Sequence, residues 1–124
     1  MNTKALVKVS AMTEMLTGVA LMLSPNLVAT LLLGVGLSGS GNAVARLTGI
    51  ALVCLGIAGC PSRNNATRQA IQALFVYNLL AGLYLCYLRV GGGFAGYLLV
   101  PASAIHLVIA LLLLFRVREK ELPA

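Results

Sequence analysis

The sequence predicts an all-α membrane protein, a bundle of four transmembrane helices with a short interfacial helix after the first span. Three observations carry that prediction. The chain is 60% hydrophobic and only 10% charged, with a mean hydropathy of +0.96, whereas soluble domains average about 45–50% apolar and about 25% charged residues. Its apolar residues gather into four stretches, at 5–23, 43–60, 69–88 and 94–115, each near the length of roughly 20 residues that a hydrocarbon core of about 30 Å demands. The basic residues lie mostly at the ends of those stretches, where the positive-inside rule and anionic headgroups account for the net charge of +6 without nucleic acid as a partner. Residues 1–124 are read as one domain.

The first span, Ala5 to Leu23, carries one carboxylate, Glu14, at its middle. A central acidic residue costs about 2.5–3.5 kcal/mol on insertion scales, so Glu14 must face protein or water and needs a partner. The basic start, Met1 to Lys8, looks like the beginning of a signal peptide, but Glu14 inside the apolar run argues for retention. Ser24-Pro25-Asn26 ends the span: Ser24 is placed to cap and Pro25 suits the first turn of a new helix. Leu27 to Leu33 then forms a short helix that cannot span, either interfacial or a bent extension of the first. Gly34 to Gly41 reads as a flexible turn.

Asn42 is predicted to cap the second span, Ala43 to Cys60, which Pro61 stops. Its 18 residues cover roughly 27 Å at about 1.5 Å each, just enough to cross. A polar loop, Ser62 to Thr67, leads to the third span, Gln69 to Leu88, which ends in an interfacial belt of Tyr84, Tyr87 and Arg89 and breaks at Gly91-Gly92-Gly93. The fourth span, Phe94 to Phe115, starts with Tyr97 near one interface, and its Pro101 predicts a kink. A short charged tail follows. With four spans, Lys4, Lys8, Arg63, Arg68, Arg116, Arg118 and Lys120 share one side and Arg46 and Arg89 the other. That bias predicts cytoplasmic N- and C-termini.

Each span holds one conspicuous polar residue: Glu14, Arg46, Asn78 and His106 in order. At 100° per residue each shares a face with small residues: Ser10 and Gly18 beside Glu14, Gly49 and Gly56 beside Arg46, Ala81 and Gly82 beside Asn78, Ala102 and Ser103 beside His106. Transmembrane helices pack through such faces, so the four residues are expected to share the interior. Counted from the predicted cytoplasmic ends, Glu14, Asn78 and His106 lie roughly 12–16 Å deep, near the midplane. Arg46 lies about one turn inside the opposite face, as a lid or counter-charge. The layer is either structural glue or a binding site for a ligand or proton.

No catalytic set, dinucleotide fingerprint or Walker sequence is present, so enzymatic chemistry and a cofactor are not indicated. One His and one Glu are too few for a metal, and Cys54, Cys60 and Cys86 lack any paired spacing and read as small apolar filler. Tyr77 and Tyr84, seven apart, read as packing or interfacial aromatics rather than a ligand cage.

The stretches TEMLTGVALMLSP around Glu14, NAVARLTGIALVCLGIAG around Arg46, LFVYNLLAGLY around Asn78 and IHLVIALLLLFR around His106 together resemble short bacterial four-span membrane proteins of an uncharacterised family with a DoxX-like layout. The resemblance implies a bundle in the bacterial inner membrane and carries over no activity and no site residue. Small multidrug exporters are similar in length and span count and place a glutamate in their first helix, as Glu14 is here; the absence of Trp, the fixed charge bias and His106 depart from that pattern. Two functions therefore lead: a non-enzymatic bundle binding a lipid-like or amphipathic small molecule at Glu14, Asn78 and His106, and an accessory or assembly subunit of a larger membrane complex. Oligomeric state is left open.

Overall fold

The computed structural model describes residues 2–61 and 67–119, with side chains up to Arg118. Five helices follow in order, α1 (Thr3–Leu23), α2 (Pro25–Leu33), α3 (Gly39–Gly59), α4 (Arg68–Val90) and α5 (Leu99–Glu119), and no strand occurs among the described residues. All but α2 are long and apolar enough to cross a membrane. The surface agrees with a lipid surround. Leu16, Leu23, Val44, Leu47, Ile57 and Leu80 are all more than half exposed, a display that water would penalise and acyl chains do not. Most of the polar loop and the tail expected from the sequence, with Arg63 and Lys120 of the charge count, lie outside the described residues.

Helix ends differ from the sequence reading for local reasons. Asn2 opens α1, its Oδ1 accepting from the Lys4 amide at 3.1 Å. Ser24 closes α1 through its own amide, which donates to the Ala20 carbonyl at 2.8 Å, and makes no side-chain cap on α2. Pro25 takes the first position of α2 as expected, since that position has no intrahelical use for an N–H. The turn expected through Gly41 ends sooner, because α3 begins at Gly39 and Asn42 lies inside it, its Nδ2 donating to the Leu37 carbonyl at 3.4 Å. Thr67 caps α4, its Oγ1 accepting from the Ala70 amide at 3.2 Å.

The fourth span is the largest departure. Residues 94–98 are not helical; their backbone bonds to α2, the Ala95 amide to the Leu33 carbonyl at 3.3 Å and the Leu98 amide to the Leu31 carbonyl at 2.9 Å. Gly96 sits in this join against the Leu32 backbone, where a Cβ has no room. Pro101 thus falls in the first turn of α5, where its missing N–H forfeits no intrahelical hydrogen bond, so the expected kink has no cause. The short helix α2 is accordingly clamped to the start of α5 as well as following α1.

Packing is pairwise: α1 lies chiefly on α3 and α4 on α5, with thinner contacts between the pairs. Gly18 and Gly49 make the first seam, since a Cβ on either would stand 2.6 Å from the other's carbonyl oxygen. Close backbone approach through small residues is how helices gain contact area in lipid. In the second pair Ser103 Oγ donates to the Gly82 carbonyl at 3.2 Å, which leaves the Cys86 thiol to donate to that Oγ at 2.9 Å. Cys86 is therefore a polar tie as well as filler. A dry cluster of Leu6, Val7, Ile71, Leu74, Ile109 and Leu113 occupies the end of the bundle where α1 and α4 begin and α5 finishes.

Candidate functional site

One turn beyond the dry cluster, α1, α4 and α5 each contribute polar side chains to the same level. Glu14, Asn78 and Ser10 are fully buried, and His106 is 13% exposed at its side chain. Asn78 is the hub. Its Nδ2 donates to the carbonyl of Leu74, one turn earlier on its own helix, at 2.8 Å and to Ser10 Oγ at 3.1 Å, while its Oδ1 accepts from His106 Nδ1 at 2.8 Å. Glu14 Oε1 lies 3.9 Å from the same His106 Nδ1. The Tyr77 and Asn78 side chains flank the Glu14 carboxyl, yet neither of its oxygens completes a hydrogen bond. Tyr77 meets the His106 ring edge to face, with centroids 5.8 Å apart.

Glu14, Asn78 and His106 are thus brought together, as their common depth and small-residue faces predict. Arg46 stands apart. It is exposed on α3, and no described contact joins it to the cluster. Because α3 starts at Gly39, Arg46 lies about 10 Å along the helix, on a span that touches the α4–α5 pair only thinly. The lid role expected of it finds no geometric support. Among the described residues no group of three or more His, Cys, Asp and Glu that could hold a metal comes together.

Beyond the cluster opens a cavity of about 670 Å³, within the roughly 300–1,000 Å³ of small-molecule sites. Tyr77, His106 and Thr13 form its end at the level of the polar layer, with Glu14 and Asn78 behind them rather than in the wall, while Thr17, Thr48 and Tyr84 place hydroxyl groups further along. Most of the remaining wall is apolar: Leu27, Val28, Leu31 and Leu32 from α2, Leu21 and Leu52, then Leu85, Leu98 and Ile105. Ala20, Ala81 and Ala102 supply the volume by being small. Leu27, Tyr84 and Leu98, each about half exposed or more, mark its outer edge.

A place in the cavity wall is what the sequence reading of Tyr77 and Tyr84 as packing or interfacial aromatics did not include. Both line the cavity, Tyr84 also stacking on Tyr87 at 6.3 Å. The available signal was position: Tyr77 precedes Asn78, and Tyr77, Ala81 and Tyr84 recur at helical spacing along one small-residue face. The α2 wall could not be read from sequence, because it depends on the backbone join to residues 94–98. Comparison of the chain with family models, with curated proteins and with solved structures finds no match.

Proposed function

We propose that this chain is a non-enzymatic membrane bundle that binds one lipid-like, amphipathic small molecule, head at Tyr77 and His106 and tail along α2. A single observation carries it: a cavity of about 670 Å³ with mostly apolar walls, at whose inner end His106 is backed by a buried, hydrogen-bonded Asn78 and a buried Glu14. Apolar walls with a few convergent polar groups are the general form of a small-molecule site, and ionisable groups in spanning helices mark such sites by default. The charge bias and the DoxX-like layout support placing it in a bacterial inner membrane with cytoplasmic termini.

The experiment is purification in mild detergent followed by native mass spectrometry. About one equivalent of an amphipathic molecule is expected on the wild type, and at least tenfold less on His106→Ala with its melting temperature within a few degrees. Equal retention by that variant, or no bound molecule on the wild type, rejects the proposal. The alternative, an accessory subunit, is favoured by α3, the least covered span, 17% buried against 33% for α1. A stoichiometric protein partner in the same purification supports it.

A further inference from the structure

Resting on that reading of the cavity, we propose that His106 is held as the tautomer with its proton on Nδ1, and that its free Nε2 lone pair selects amphiphiles whose headgroup donates a hydrogen bond, a hydroxyl above all. The orientation starts from a backbone atom. The Leu74 carbonyl can only accept, so the Asn78 atom 2.8 Å from it is the amide nitrogen, and this identifies the atom facing the imidazole as the carbonyl oxygen, Oδ1. An amide oxygen also only accepts. His106 Nδ1, 2.8 Å away, must therefore carry the proton.

In a neutral ring the remaining nitrogen, Nε2, is then an acceptor. With Nδ1 turned to the buried cluster and His106 in the cavity wall, the Nε2 edge is the part of the ring left to meet a ligand. The groups facing the ring are Glu14 from α1 and Tyr77 and Asn78 from α4. A charged imidazolium–carboxylate pair closes to about 2.7–2.9 Å; here Glu14 Oε1 stands off at 3.9 Å and the amide oxygen takes the proton, the arrangement of an uncharged ring. A hydroxyl head can satisfy Nε2 while its tail fills the apolar length of the cavity. An ether head of the same size offers no donor, and leaving a buried acceptor unmade is what makes such sites discriminate.

The chain has a single histidine, so the state of the ring is read without assignment. Protein carrying nitrogen-15 histidine, in nanodiscs, is expected to show Nδ1 protonated and Nε2 bare, and on titration 1-decanol should move the Nε2 resonance and bind at least fivefold tighter than decyl methyl ether. In Asn78→Leu, which frees the ring to take either tautomer, the preference should fall below twofold. A ring protonated on Nε2, or on both nitrogens, overturns the inference from the wild type alone, whether or not the variant folds. Equal binding of alcohol and ether also overturns it while leaving the amphiphile site standing; binding of neither removes both.

Discussion

Asn78 shows how much one buried amide can decide. Its three hydrogen bonds join a backbone carbonyl, Ser10 on α1 and His106 on α5, so three helices are set in register by one side chain. Interhelical hydrogen bonds in membranes average about 0.6 kcal/mol, because the separated helices also find partners, but removing a hub orphans the groups left behind. Asn78→Leu is therefore expected to cost about 1–2 kcal/mol in a detergent unfolding titration; a change under about 0.3 kcal/mol would mean the cluster adds nothing to packing. That Asn78 and Glu14 belonged inside was legible, since a polar group among small residues in an apolar span has nowhere else to go. That Asn78 rather than Glu14 would be the hub was not, because rotamers and backbone acceptors on the same helix leave no periodic trace.

At the scale of the helix, the α1–α3 seam and the α2 clamp do different work. The seam needs bare backbone: Gly49→Leu adds a side chain where even a Cβ stands 2.6 Å from the Gly18 carbonyl oxygen. Overpacking of this kind costs about 1–3 kcal/mol, and thermal melts should show it, while Gly39→Ala, where a Cβ meets nothing within 4 Å, leaves the melting temperature unchanged or slightly higher. Equal melting of both variants would contradict the seam. Four spans were readable from length and hydropathy alone, and Pro25 from its fit to a first turn. The start of the last span was misplaced because Phe94 to Leu98 are apolar enough to continue a helix, yet the Ala95 and Leu98 amides are taken by the Leu33 and Leu31 carbonyls and the Phe94 amide by that of Leu88. Pro101 followed that error, predicting a kink only so long as the helix was thought to begin before it.

The whole molecule is graded along its length. On α1 the series Leu6 and Val7, Glu14, then Ala20 and Leu21 passes from dry core to polar layer to cavity, and Ile71, Asn78, Ala81 on α4 and Leu113, His106, Ala102 on α5 repeat it. One end of the bundle is packed solid and the other is hollow. Filling the hollow tests whether it is functional. Ala102→Leu puts apolar volume into the cavity wall, so amphiphile binding should fall at least tenfold in a direct titration while thermal stability is kept or rises, since occupied space replaces a void. Lost stability with binding intact would show the space to be a packing defect. By itself the sequence determined the membrane class, the four spans and the common level of Glu14, Asn78 and His106, because hydropathy, length and helical period act within one segment. Only the tertiary structure decided that Arg46 stands outside, that Tyr77 and Tyr84 face a cavity, and that α2 forms its wall. Those facts depend on which helices pair and on backbone bonds between residues some 60 apart in sequence, and no pattern local to a segment encodes them.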